Sequence, residues 1–189
     1  MRVLFTLLVF LSFCNPTKKE ERPVWEPFLL FGLVSYASTS PFDAFAERDV
    51  DFPRFLGTWN EIQRIDNSFQ RGLTKSSATY TDNGNGQIGV LNQGIRADGG
   101  ITAQNGVALV PDPKVGRLKV SFAFPFFFGD FIILRIDRVN YQTALIGGPT
   151  PNFLWVFSRQ ETINPTVESN YINYAKEIGY NVESLNRFR

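Results

Sequence analysis

Along the middle of the chain, apolar and polar residues trade places at every second position. Leu118, Val120 and Phe122 share one face of the stretch 117–122, with Arg117, Lys119 and Ser121 on the other. This is the pattern of a strand with one buried side. At 153–158 both faces are apolar, Phe153, Trp155 and Phe157 alternating with Leu154 and Val156. One face then turns to an interior and the other needs a cover. Breakers built on Gly, Pro, Asn or Asp recur at 67–72, 82–86, 98–100, 111–116, 129–130, 138–140 and 147–152. These seven connections predict eight short strands, at about 13 residues for each strand with its turn, in an antiparallel sandwich or barrel. Beyond them the period becomes helical. Asn164 is a natural N-cap, Pro165 suits the first turn, and Val167, Tyr171, Ile172, Ala175 and Ile178 recur at helical spacing before Gly179. The spacing predicts an all-β fold: an eight-stranded antiparallel up-and-down barrel with one C-terminal helix packed outside.

The amino-terminal pattern is different. Residues 3–12 are apolar except for Thr6 and Ser12, and they follow Arg2. That is the core of a signal peptide, and it is too short to span a bilayer, which takes about 20 residues of helix. The only cysteine, Cys14, closes this segment. Leu11-Ser12-Phe13-Cys14 resembles the lipobox of bacterial lipoproteins, where the cysteine is acylated and becomes the first residue; Phe13 stands where a small residue is usual. The other reading is an ordinary signal peptide with an incidental cysteine. We take 1–14 as the signal segment, 15–52 as tether and extension, and 53–189 as the domain. The tether is polar from 15 to 23. The extension holds a second apolar run at 28–37, also too short to span. It suits covering one end of the domain, lying on a membrane surface, or serving as an alternative signal core. Asp43, Glu47, Asp49 and Asp51 form an acidic cluster that reads as a solvated face.

Composition removes whole classes of chemistry. Lys and Arg number 19 against 18 Asp and Glu, a net charge of +1, which argues against a nucleic-acid partner held by phosphate neutralisation. The chain has no His, so Ser-His and Cys-His nucleophiles, His general bases and His-ligated zinc are excluded. One Cys allows neither an intrachain disulfide nor a multi-thiolate metal site. No catalytic residue, metal or cofactor is therefore assigned. The segment 84–89 matches G-x-G-x-x-G, yet it joins two strands and opens no helix that could receive a pyrophosphate. Arg135, Asp137 and Arg138 read as a structural charge cluster beside a turn. The 19 Phe point either to a Phe-rich core or to a Phe-lined cavity. Eight strands enclose either a packed interior or room for one small ligand.

Gly57-Thr58-Trp59 resembles the first-strand motif of lipocalins. Asp137 and Tyr141, flanking a turn, resemble the second motif, and Ser158-Arg159 resembles the third. The stretches 70–73, 116–122 and 152–159 are similar to the bacterial outer-membrane lipoprotein lipocalins, a subgroup related to apolipoprotein D. The resemblance runs from about residue 53 to the C-terminus, with its three motifs in order. It implies that Trp59 plugs the closed end of a barrel with Arg159 over its indole, and that Gly57 admits the bend into the first strand. Asn60 departs from the subgroup, which usually has Tyr there. The segment 124–128 is unusually rich in Phe; at an open rim it would suit a membrane or homodimer contact.

If Trp59 points inward, period two turns Glu61 and Gln63 inward as well. A carboxylate inside a barrel pairs with a nearby Arg, lies in water, or meets a polar group of a ligand. Matched to the family's pocket, Ala78, Tyr80, Val90, Asn92, Val120, Phe122, Phe131, Ile133 and Trp155 line the inner face, mostly apolar with a few polar groups. The resemblance implies a non-enzymatic module that binds, stores or carries a lipid or other small hydrophobic ligand, such as a fatty acid or lysophospholipid. It would be held through a lipid anchor on the outer membrane, facing the periplasm; without acylation it would be soluble there. Two alternatives stand beside it. One is a structural envelope lipoprotein with a filled barrel. The other is a lipid-modifying enzyme, which an inward Glu61 near Tyr80 with a strongly raised pKa would favour.

Overall fold

The computed structural model describes residues 33–188. Cys14, the expected signal segment and residues 28–32 of the second apolar run lie outside the described residues. Eight strands follow one another up and down: β1 (Gly57–Ile65), β2 (Leu73–Asp82), β3 (Gln87–Arg96), β4 (Ile101–Leu109), β5 (Arg117–Ser121), β6 (Gly129–Ile136), β7 (Thr143–Gly147) and β8 (Leu154–Ser158). Each pairs antiparallel with the next, and β1 closes the barrel by pairing with both β8 and β2. A ninth strand that alternation did not reveal, β9 (Leu185–Arg187), adds to β1 at Gln63–Ile65.

The two parities of the strands feed two cores. Trp59, Ala78, Tyr80, Val90, Leu118, Ile133, Ile146 and Phe157 pack inside the barrel. Ile132, Leu134, Leu145, Leu154 and Val156 point out and are covered by Ala175 and Tyr180 from the C-terminal segment, so both apolar faces of β8 are satisfied. The covering helix spans Pro165–Glu177. The Asn164 side chain accepts from the amides of Thr166 and Val167, and Gly179 beyond its end takes φ +100°, a left-handed conformation that suits glycine.

One connection differs from its sequence reading. Gly129 and Asp130 were expected to make a turn, yet both lie in β6, and the chain instead leaves the sheet at 122–128. Ser121 ends β5 by bonding locally: its hydroxyl accepts from the amide of Ala123 and donates to the carbonyl of Phe126. Asp130 is held in the sheet by Lys119 at 2.7 Å and Arg117 at 3.1 Å from the neighbouring strand.

Residues 46–56 cross the closed end, tied by Gly116 N to Glu47 O at 2.7 Å and Asp49 N to Lys114 O at 2.9 Å. The acidic cluster is more than a solvated face. Asp43 pairs with Arg117 at 3.1 Å, Glu47 pairs with Arg135 and Arg138, and Asp51 caps the short helix Phe52–Phe55. Arg135 and Arg138 therefore pair with Glu47, while Asp137 takes the amides of Val139, Asn140 and Gln142 in the β6–β7 turn.

Candidate functional site

At the closed end, Trp59 is fully buried and its indole N–H donates to Phe55 O at 2.8 Å. The Arg159 guanidinium lies 3.7 Å from the Trp59 ring centroid. It donates to the carbonyls of Thr58, Arg54, Phe55, Leu56 and Tyr141. Gly57 stands beneath it with φ +94°; a Cβ there would meet Arg159 Nη1 at 3.2 Å. Tyr141, at φ 55° in its turn, accepts from the amide of Asp51 through its hydroxyl at 2.9 Å. Phe55 then enters the barrel and meets Trp59 and Tyr80, each at 5.1 Å, while Phe131 lies 5.8 Å from Tyr80 and 6.2 Å from Phe157. Ring packing thus fills the lower part of the interior, with Phe131 at the top of the stack.

The upper half is different. Ala78, Tyr80, Val90 and Ile133 belong to the buried inner core, but Val120, Phe131 and Trp155 only pack against it and keep part of their surface open. Asn92, paired in register with Ala78, is also half-buried. Phe122 lies past the end of β5, on the rim, and is 38% exposed. Its ring covers the bare inner face of Gly106, where a Cβ would come within 2.7 Å of it.

Glu61 faces the interior, but Gln63 does not. A bulge between Glu61 and Gln63 shifts the parity of β1, so Gln63 turns out to Glu168 of the C-terminal helix at 2.5 Å and Arg64 turns in. Glu61 and Arg64 form a buried pair at 3.3 Å. Ser76 Oγ donates to Glu61, and Gln70 Nε2 reaches the other carboxylate oxygen at 2.6 Å. Arg64 also donates to the carbonyls of Gln70 and Leu73, and the ring of Phe188 lies 3.6 Å from it. Its Nε–H has no partner among the described residues. Trp155 joins through its indole N–H, which donates to Gln70 Oε1 at 2.9 Å. Burial pushes the Glu61 carboxyl above its ordinary value, against the opposing pull of Ser76, Arg64 and Gln70. Burial, with a smaller contribution from the Glu61 charge, also raises the Tyr80 phenol.

Sequence reasoning missed Arg64, Gln70, Ser76 and Phe188. Ser76 was within reach, since it shares parity with Ala78 and Tyr80. The wall is also incomplete here. β1 and β2 pair only from Gly57↔Tyr80 to Asn60↔Ser77, and β9 takes the edge of β1 beyond that. Between them lies a cleft of 450 Å³ lined in part by Asn60, Glu61, Ser76 and Phe188. The ion pair of Lys75 with Glu161, at 2.5 Å, stands at its lip.

Comparison with known proteins agrees with this geometry. A family model described as a lipocalin-like domain matches residues 50–189. The outer membrane lipoprotein Blc of Escherichia coli K12 is 38% identical over 149 residues, covering 78% of this chain and 83% of that protein. Its namesake from Vibrio cholerae is 35% identical over 139 residues, covering 72% and 81%. Among solved structures, insecticyanin from the tobacco hornworm superposes with a TM-score of 0.63 at 17% identity, covering 76% of this chain and 82% of that one, which speaks to the fold alone.

Proposed function

Because the chain belongs to the lipocalin-like family, we propose that it binds, stores or carries a lipid with a single acyl chain, a fatty acid or lysophospholipid, in the upper half of its barrel. One observation carries this reading: inward-facing Asn92, Val120, Phe131 and Trp155 keep accessible surface while the residues below them are packed. An acyl chain fits against Val120, Phe122, Phe131 and Trp155. Its polar end reaches the level of Gln70 and Trp155, whose side chains are joined at the mouth. Glu61 acts here as the counter-charge that keeps Arg64 inside, and Ala78, Tyr80, Val90 and Ile133 form the floor. This favours a carrier over a filled structural barrel.

The protein is placed in the envelope by the same reading: cleavage before Cys14, acylation of its thiol, and anchoring to the outer membrane on the periplasmic side. The relatives named outer membrane lipoproteins support this. Two or three acyl chains hold firmly where one gives only marginal binding. Native and denatured mass spectra of protein purified from membranes test both parts. The expected results are a bound lipid released on activation and a denatured mass beginning at acylated Cys14. A clean apo barrel that also ignores added lysophospholipid would overturn the carrier. A start at an unmodified residue would move the protein to the soluble periplasm.

A second reading rests on Glu61, whose raised pKa and charge at Tyr80 are what a lipid-modifying enzyme would need. Against it, both Glu61 oxygens are engaged by Ser76, Gln70 and Arg64. Lysophospholipid incubated with the protein is expected back intact; released fatty acid would establish the enzyme instead.

A further inference from the structure

The strands alternate in direction, so the connections fall into two sets. The closed end carries 83–86, 110–116 and 137–142; the open end carries 66–72, 97–100, 122–128 and 148–153. Exposed large apolar side chains are divided unequally between them. Phe69, Ile95, Ile101, Phe122, Phe124 and Phe127 all lie at or beside the open end, with Phe69 81% and Ile101 76% exposed. Ile95 and Ile101 face each other across the β3–β4 pair. Among the described residues, those exposed elsewhere are Phe45, Val139 and the amino-terminal turn described next.

The chain preceding the domain arrives at this same rim. Residues 33–37 form a helical turn whose Tyr36 ring lies 5.4 Å from that of Phe128. Phe128 N donates to Ser35 Oγ at 3.0 Å, and the buried ammonium of Lys119 donates to the carbonyls of Ser35 and Ser38. Leu33 and Val34 on that turn are 66% and 61% exposed. The first described residue is thus an exposed leucine beside the Phe-rich loop, and it continues a run that is apolar in sequence back to position 28. Isolated exposed apolar residues are ordinary, but several gathered on one end are the mark of a contact surface.

We propose that the open rim of the barrel docks directly on a lipid bilayer, with Phe69, Ile101, Phe124, Leu33 and Val34 entering its interfacial layer. The occupant is a membrane because the tether leads to the domain at this rim, so a chain anchored through its amino-terminal segment presents the rim to the surface that holds it. No helix among the described residues is long and apolar enough to cross a membrane, so the contact is peripheral. It is driven by apolar insertion, and therefore persists in high salt. Docked this way, the mouth opens onto the bilayer, and an acyl chain passes between them without crossing water. The contact stands or falls without the carrier reading, while its choice of occupant rests on the amino-terminal anchoring proposed above.

The test uses the full chain carrying Cys14→Ser, with a fluorophore placed through Phe124→Cys on the rim or Val139→Cys at the closed end. The protein is mixed with vesicles of phosphatidylethanolamine and phosphatidylglycerol whose acyl chains are brominated. The rim label should shift to the blue and be quenched, equally in low and high salt, while the closed-end label is not. Adding Phe69→Ser and Ile101→Ser should cut rim quenching by about threefold or more. These side chains are exposed, so unchanged circular dichroism separates lost docking from lost folding. Equal behaviour of the two labels would overturn the proposal. A rim label already shielded without vesicles, in a species of twice the mass, would also overturn it, in favour of a second copy of the chain.

Discussion

Each end of the barrel holds an arginine over an aromatic ring, Arg159 at 3.7 Å from Trp59 and Arg64 at 3.6 Å from Phe188. Their partners differ. Arg159 donates only to backbone carbonyls, and among the described residues it has no carboxylate. Arg64 sits beside the buried carboxylate of Glu61. The first arrangement is a neutral-acceptor clasp that ties the short helix Phe52–Phe55 to the barrel floor. The second is an ion pair taken out of water, whose desolvation cost offsets much of its attraction. Similar stacking therefore serves two ends: the closed end is built for stability, and the open end holds charge in an interior that a polar group can share.

The comparison breaks most visibly at Trp59. Trp59→Ala removes the plug that Phe55, Phe157 and Arg159 pack against, and should cost about 3–5 kcal/mol in urea unfolding. Next comes the pair at the mouth. Arg64→Met leaves Glu61 buried without its counter-charge and should cost about 3 kcal/mol, whereas Glu61→Leu together with Arg64→Met should return to within about 1 kcal/mol of the parent. If the double variant is as unstable as the single one, Arg64 acts through its carbonyl bonds, as Arg159 does.

The two ends should also answer differently to pH. The folded carboxyl of Glu61 is raised above its ordinary value near 4.5. Its contribution to stability is therefore full below that value and is lost as pH rises through the folded one. Stability measured across this window should fall with pH in the parent relative to Glu61→Gln; a substitution of Arg159 should leave that difference unchanged. The smallest effect expected is on binding. Trp155→Phe keeps the ring but loses the bond to Gln70, and should weaken binding of a fluorescent fatty acid by about 0.5–1.5 kcal/mol without changing the unfolding midpoint appreciably.

Much of this was legible in the residues. Strict alternation in β5 and the doubly apolar β8 foretold the barrel and its covering helix, because burial on one or two faces leaves a period-two record. Asn164, Pro165 and Gly179 marked the helix ends because each meets a specific backbone requirement there. The turn after β5 was misplaced to 129–130 because residues 122–128 look like more strand; the Ser121 hydroxyl ends β5 without any change in hydrophobicity. Arg64 was hidden for a different reason. Three residues apart, Glu61 and Arg64 fall on opposite faces of a regular strand, and only the bulge brings them together. β9 is too short to alternate at all, and its placement depends on the edge that β1 leaves free.

The joint between β1 and β2 has a kinetic meaning. Four residue pairs hold it, from Gly57↔Tyr80 to Asn60↔Ser77, whereas nine join β2 to β3. The β4–β5 seam is shorter still, at three pairs, but the β1–β2 seam is the one that already gapes beside Phe188. The barrel is better thought of as a cuff with a clasp than as a rigid cup: it can widen sideways by parting a few bonds while the remaining staves stay joined, so an elongated guest can be admitted along its length as well as end-on.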